Sequence, residues 1–235
     1  MRAVTGFEAP TPLSYTAVVP TWMIYSVFLP AAAFAAVAAF LGARRSWAAW
    51  GAARPRRGGL VAGLAGVAAD ILAHRRFERC GEARPRRSGH LVLVLGFLGA
   101  LVTTTLLGVA MDVLGIKTPL PQGHPIKLIG NASAVLLVVG LAFLVANRAR
   151  GDGAGRTRPF DVFFLALVGV VVLSGVGAEL GRLYLPPAAA IAFYLVHLGS
   201  ILSLFLTFPF SKFAHALYRT LAMAHERLVS ERRPS

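Results

Sequence analysis

Charged residues and cysteines are scarce in this sequence. Only 14% of its 235 residues are charged and 56% are hydrophobic, whereas soluble domains carry about 25% charged residues. An ordinary soluble domain is therefore excluded in favour of a membrane protein. The one cysteine, Cys80, excludes an internal disulfide and any iron–sulfur cluster held by four cysteines of this chain. No two histidines have the HxxxH or HxH spacing of a zinc site.

Five apolar segments are long enough to cross a bilayer, since each approaches the ~20 residues that a spanning helix needs. They cover residues 18–42, 91–115, 126–146, 160–183 and 188–210. A basic pair follows the first segment, which indicates an uncleaved span. We expect an all-α integral membrane protein with a five-transmembrane-helix bundle, located in the inner (cytoplasmic) membrane of the cell.

The basic residues predict the orientation of this bundle. Twenty of the 24 lysines and arginines fall in residues 44–87, 148–158 and 212–235. Lys and Arg collect in cytoplasmic loops, so the N-terminus is expected outside and the C-terminus in the cytoplasm. The net charge of +14 is then explained by these loops and does not indicate nucleic acid.

The topology divides the chain into four parts. Residues 1–43 hold the first transmembrane helix, and residues 44–89 form a basic cytoplasmic loop. Residues 90–222 form a four-helix membrane core, and residues 223–235 a cytoplasmic tail. Within the loop, residues 60–72 have apolar positions at helical spacing but are too short to span. They predict an interfacial helix, which either rests among lipid headgroups or docks a cytoplasmic partner.

Four of the six histidines fall at two depths of this bundle. His90 and His215 belong at the inner ends of their helices, and His124 and His197 lie in the outer half. The spacing from His197 to His215 is a whole number of helical turns, which predicts both imidazoles on one face of one helix. Imidazoles on two helices of a bundle can ligate a haem. A proton relay, and ordinary interfacial positions for the histidines at helix ends, remain as alternatives.

Three stretches, FERCGEARPRRSGHLVLVLGFLGALVTTT, HPIKLIGN and FPFSKFAHALYRTLA, resemble the diheme membrane cytochrome b of the nitrate reductase gamma subunit-like family. The similarity covers about residues 60–222 and is greatest to the membrane cytochrome of the quinone-interacting membrane-bound oxidoreductase, which is related to heterodisulfide reductase. It implies a haem-binding core with two haem b groups. These would pass electrons between menaquinone or ubiquinone and the cytoplasmic iron–sulfur or flavin subunits of a heterodisulfide reductase-like complex.

The resemblance also implies an enzymatic role and a set of haem ligands. The chain would be the membrane subunit of a quinone oxidoreductase complex, with lipid and quinone as further partners and no nucleic acid. His90 and His215 would ligate the iron of the inner haem, and His197 that of the outer haem. The family's second outer ligand falls on Ala100 here, so His124 is assigned in its place. The family's soluble cysteine-rich domain is not found in this sequence, so either a separate subunit supplies those clusters or the chain belongs to a shorter relative.

Three polar residues near the outer ends of helices are candidates for the quinone site. Lys127 resembles a lysine that the family places near its outer quinone. Glu179 is a candidate for proton exchange or for an ion pair with Arg182, one turn away. Asn131 is a candidate for the quinone pocket or for a hydrogen bond between helices.

Two other functions fit the same sequence. A small membrane transporter or proton channel would use the intramembrane histidines as a relay. A cofactor-free membrane anchor would hold soluble subunits through its basic loops.

Overall fold

The structure is a computed structural model that describes residues 13–50, 84–150 and 159–230. The regular structure of these residues is entirely helical. One-turn 3-10 helices, Tyr15–Ala17 and Phe208–Phe210, precede the first and the last long helices. The α-helices of these described residues are α1 (Thr21–Ala49), α2 (Arg84–Asp112), α3 (Pro125–Ala149), α4 (Pro159–Tyr184), α5 (Pro187–Thr207) and α6 (Lys212–Ser230).

Five of these helices are long and apolar enough to cross a membrane, among the residues that the structure describes. Their outward-facing sides expose large apolar side chains, such as Leu29 at 62%, Leu101 at 63% and Val135 at 63%. Exposed apolar surfaces of this kind are expected where lipid is the solvent. For the described residues, the predicted all-α architecture with five helices able to span a membrane is confirmed. The candidate spans are Thr21–Ala49, Gly89–Asp112, Pro125–Ala149, Val162–Tyr184 and Pro187–Phe210.

The helices extend beyond the predicted boundaries on the basic side of the bundle. The first helix continues to Ala49, past the expected end of the first span at residue 42, and α2 begins at Arg84, ahead of the expected start of the second span at residue 91. Cys80, His74 and the expected interfacial helix at 60–72 lie outside the described residues.

Glycines let α2 and α3 approach closely as an antiparallel hairpin. A Cβ atom on Gly140 would lie 2.6 Å from the backbone nitrogen of Leu93, and one on Gly96 would lie 2.9 Å from that of Leu137. Small residues at a helix contact bring the two backbones together, which is the usual way that membrane helices pack.

A compact turn connects these two helices. Gly115 has a φ of 64°, which favours glycine, and the Ile116 N–H donates to the Ala110 carbonyl at 2.9 Å. The side chain of Leu120 is then buried at 8% exposure. The connection is therefore held in place before it reaches Gln122, which belongs to the candidate site described below.

The apolar core lies where α2, α3 and α4 meet. Val168 is its most buried member at 1% exposure, and it packs with Leu93, Leu141 and Val172. The second hairpin is also close-packed, since a Cβ on Gly181 of α4 would lie 3.1 Å from the Cα of Ala190 in α5.

The last apolar run is not one continuous helix. It is interrupted by the Phe208–Phe210 turn, and Ser211 is extended with φ −91° and ψ 170°. Pro209 lacks the N–H that a continuing α-helix needs, which explains a break at this place. The prediction that His197 and His215 share one face of one helix is therefore wrong, because they belong to α5 and α6.

After this break, α6 packs back against the bundle through aromatic side chains. Phe213 meets the rings of Phe97 and Phe164 edge-on, at centroid distances of 5.6 Å and 5.1 Å. Further along, the His225 ring lies 5.2 Å from that of Trp47 in α1. The final helix is thus attached to three others.

Candidate functional site

A charged cluster lies at the end of the bundle where α3 begins and α4 ends. The Glu179 carboxylate accepts from Lys127 Nζ at 2.5 Å through Oε2, and from Arg182 Nη2 at 2.9 Å through Oε1. Lys127 stands in the first turn of α3, while Arg182 follows Glu179 by one turn in α4. The carboxylate therefore links the two helical hairpins.

Two amide side chains extend this network. Gln122 Nε2 donates to Glu179 Oε1 at 2.8 Å, and Gln122 Oε1 accepts from Asn131 Nδ2 at 3.1 Å. The structure thus brings Lys127, Asn131 and Glu179, the three residues predicted for a quinone site, into one network. We refer to Gln122, Lys127, Asn131, Glu179 and Arg182 together as the Glu179 cluster.

The charges of the Glu179 cluster do not cancel. It holds two cations, Lys127 and Arg182, against the single carboxylate of Glu179. The side chain of Arg182 is only 6% exposed, against 21% for Lys127 and 27% for Glu179. Electrostatic interactions are stronger in such partly dehydrated surroundings than in water. The surplus positive charge favours an anionic ligand.

Tyr15 anchors the segment ahead of α1 beside this cluster. Its hydroxyl donates to the Ala178 carbonyl of α4 at 2.5 Å and lies 3.2 Å from the Ala190 carbonyl of α5. Its ring stacks on Tyr194, with the ring centroids 4.2 Å apart. The residue therefore ties the 3-10 helix to the second hairpin.

The environment of Tyr15 also changes its acidity. Burial raises the pKa of the Tyr15 hydroxyl above its ordinary value. The Arg182 cation lowers this pKa and the Glu179 carboxylate raises it, both by less than the burial. Tyr15 is therefore a neutral hydrogen-bond donor at physiological pH, and its pKa depends on the charges of the cluster.

Three of the four predicted haem ligands, His90, His124 and His215, lie within the first two turns of their helices or at the N-cap. His124 is the N-cap of α3, where its Nδ1 accepts the Ile126 N–H at 3.3 Å. This is a structural role, because it satisfies one of the backbone donors at the start of a helix. His90 and His215 are exposed.

His197 makes its contacts inside the second hairpin. Its Nδ1 lies 2.9 Å from the Val171 carbonyl, which can only accept, so Nδ1 carries the proton. Ser174 Oγ is 3.4 Å from the same nitrogen, and a Cβ on Gly175 would lie 2.8 Å from the imidazole Cε1. The side chain therefore fits a notch in α4 and joins it to α5.

Sequence reasoning missed part of the cluster. Arg182 was considered only as an ion-pair partner, although it is the one arginine besides Arg2 that lies outside the basic segments. That exception to the charge bias was a usable signal. Gln122 and Tyr15 carried no such signal, because their partners are far away in sequence.

Comparison with known proteins identifies the family. The family described as CitB: Citrate utilization protein B matches residues 8–235. A curated relative, citrate utilization protein B of Escherichia coli, is 32% identical over 112 residues, which are 46% of this chain and 29% of that protein. The chain thus matches less than a third of the relative's length. No solved structure matches it.

These matches overturn the resemblance to the nitrate reductase gamma subunit-like family and to the membrane cytochrome of the quinone-interacting oxidoreductase. The interpretation as a cytochrome b that transfers electrons through two haem b groups is wrong, and so is the assignment of haem iron to the histidines. The resemblance rests on short motifs rich in Phe, Leu and Gly, which are common residues in any membrane helix. The residues that the structure describes also contain no group of three or more His, Cys, Asp or Glu able to hold a metal ion. Because the match extends over nearly the whole sequence, the chain belongs to the citrate utilization protein B family.

Proposed function

We propose that this chain is a membrane-embedded component of citrate utilisation, and that its Glu179 cluster binds a carboxylate group of citrate or of a related small acid. One observation carries this proposal: Lys127 and Arg182 together face a single carboxylate, Glu179, at the end of an apolar bundle. The name shared by the family and its Escherichia coli relative, citrate utilization protein B, supports the substrate class.

The donors of the cluster suit a carboxylate. A guanidinium carries five N–H donors in a planar fork, and an ammonium carries three. Arg182 and Lys127 each make one hydrogen bond to Glu179 among the described residues. Donors therefore outnumber the acceptors that Glu179 provides. A ligand carboxylate would supply the missing acceptors and neutralise the surplus charge.

Calorimetric titration of citrate into the purified chain in detergent tests the proposal. Lys127→Gln and Arg182→Gln should each weaken binding about tenfold or more, because each removes a hydrogen bond to a charged group. Lys117→Gln is the matched control, since Lys117 is exposed and belongs to the α2–α3 connection outside the cluster. Failure of the wild type to bind citrate at millimolar concentration, or equal binding by all four proteins, would refute the carboxylate site.

A second candidate function is that of the membrane subunit of a quinone oxidoreductase complex, acting with cytoplasmic iron–sulfur or flavin subunits that bring the redox groups. The amides favour it: Asn131 and Gln122 place uncharged N–H donors beside Lys127, and a quinone carbonyl accepts hydrogen bonds from such groups. Titration with a short-chain ubiquinone or menaquinone analogue distinguishes the two. Quinone binding that Asn131→Leu abolishes, without citrate binding, would favour this candidate over the first.

The orientation of the bundle is part of the proposal. We place the protein in the inner membrane of the cell, with its N-terminus outside and its C-terminus in the cytoplasm. The surplus of Lys and Arg in residues 44–87, 148–158 and 212–235 supports this orientation. Single cysteines in a Cys80→Ser background test it. Val113 is 74% exposed, at the end of the bundle that holds the Glu179 cluster. Val113→Cys should therefore react with an impermeant maleimide in intact cells. Arg219→Cys, at an exposed position of α6, should react only after permeabilisation. The reverse pattern would contradict this orientation.

A further inference from the structure

We propose that carboxylate binding at the Glu179 cluster is coupled to the uptake of one proton by Glu179. This inference rests on the proposed carboxylate site and adds a coupling to it. It concerns the one acidic group of the cluster and the two cations that the ligand needs.

The geometry places Glu179 where a ligand carboxylate would bind. Its two oxygens already accept hydrogen bonds from the Lys127 ammonium at 2.5 Å, the Arg182 guanidinium at 2.9 Å and the Gln122 amide at 2.8 Å. A ligand carboxylate drawn to Lys127 and Arg182 therefore comes within a few ångströms of the Glu179 carboxylate. Two carboxylates that share a site cannot both stay ionised without a large cost, so one of them takes up a proton.

Glu179 is the group expected to take up the proton. Its hydrogen-bond partners are Lys127 from α3, Arg182 from its own helix and Gln122 from the connection. Asn131 of α3 bonds to Gln122, and Tyr15, which stacks on Tyr194 of α5, interacts with the charge of Glu179. None of these partners is a carboxylate. Asp112, the last residue of α2, accepts a hydrogen bond from the Tyr25 hydroxyl.

The step is an exchange of acceptors. A proton from water adds to the Glu179 carboxylate and makes it a neutral acid, which raises the charge of the cluster from one positive to two. Lys127 and Arg182 then donate to the ligand carboxylate in place of Glu179. The incoming negative charge returns the cluster to a surplus of one. No covalent bond of the ligand forms or breaks.

Calorimetric titration of citrate in buffers of different ionisation enthalpy measures the protons taken up per ligand bound. Glu179→Gln keeps the shape of the side chain and resembles the neutral acid, with one acceptor oxygen and one donor group, but it cannot take up a proton. The protonation of free citrate is the same in both titrations and cancels in the comparison. We expect the wild type to take up about one more proton than Glu179→Gln, and its affinity to fall up to tenfold more per pH unit between about pH 6 and 8.

Asp112→Asn is the matched control, because it removes a carboxylate outside the cluster, and it should retain the wild-type proton count. Equal proton counts and equal pH dependence in the wild type and Glu179→Gln, with citrate still bound, would overturn the coupling and leave the carboxylate site intact. Loss of citrate binding in the wild type at every pH would instead refute the site itself, and the coupling with it.

Discussion

The Cβ position of Gly140 lies 2.6 Å from the backbone nitrogen of Leu93, so α2 and α3 touch there backbone to backbone. The second-nearest atom is the Leu93 Cα at 2.8 Å. Backbone atoms within a helix cannot move away from a close contact by rotating, as the atoms of a flexible side chain can. This contact fixes the first hairpin, and the first hairpin carries Lys127 and Asn131.

We expect Gly140→Ala to destabilise the protein by about 1–3 kcal/mol, because the added methyl group overpacks the contact with α2. The free energy of unfolding in detergent, from denaturant titration, measures the effect. Gly169→Ala is the control, since a Cβ on Gly169 would meet nothing within 4 Å. Alanine is the better helix former by about 1 kcal/mol, so this variant should be no less stable than the wild type. Equal losses in the two variants would show that the close approach is unimportant.

The spanning helices could be predicted because their signal is local. A run of apolar residues near the length that a bilayer requires identifies a span wherever its neighbours lie. Pro209 also indicates the break between α5 and α6, against the regular spacing of His197 and His215, which predicts one continuous helix. A spacing argument holds only while the helix continues, and here the proline ends it.

The candidate site could be predicted in part, for a similar reason. Lys127, Asn131 and Glu179 were identified because polar residues are rare in apolar helices and their depth follows from the topology. Gln122 and Tyr15 were not, since their roles depend on contacts between segments far apart in the chain. Tyr15 meets Ala178 and Ala190 only after the second hairpin has formed.

Phe213 is expected to hold the start of α6 against the bundle. Its ring packs edge-on with Phe97 and Phe164 and parallel to Phe208, with centroids 6.3 Å apart in the last pair. Phe213→Ala should cost about 2 kcal/mol of unfolding free energy, below the ~3–5 kcal/mol of a fully buried phenylalanine because the residue is half-buried. Phe210→Ala is the control, at 74% exposure. A loss at Phe210 as large as that at Phe213 would contradict this assignment.

The far part of α6 is expected to depend on an aromatic contact with α1. His225 lies 5.2 Å from Trp47 and 5.7 Å from Trp50, measured between ring centroids. Trp47→Ala should weaken this attachment by about 1 kcal/mol. Hydrogen exchange of the α6 amides should then become several-fold faster, as mass spectrometry can measure.

Trp22→Ala serves as the control for that experiment. Trp22 belongs to the same helix as Trp47 but is 67% exposed near the other end, so its loss should leave α6 protected as in the wild type. Unchanged exchange in Trp47→Ala would show that α6 is held by other contacts.

Tyr15 predicts how stability depends on alkaline pH. Because burial raises the pKa of Tyr15 in the folded protein, its neutral form contributes stability that is complete below the ordinary tyrosine pKa of about 10 and is lost as pH rises above it. Tyr15→Phe should therefore be less stable by about 1 kcal/mol near pH 8, where the hydroxyl donates to Ala178, and should lose less stability than the wild type as the pH rises above about 10. Thermal unfolding across this range measures both effects. Tyr184→Phe, at a position 78% exposed, should follow the wild-type curve, and a Tyr15→Phe curve parallel to the wild type would show that Tyr15 does not govern this loss.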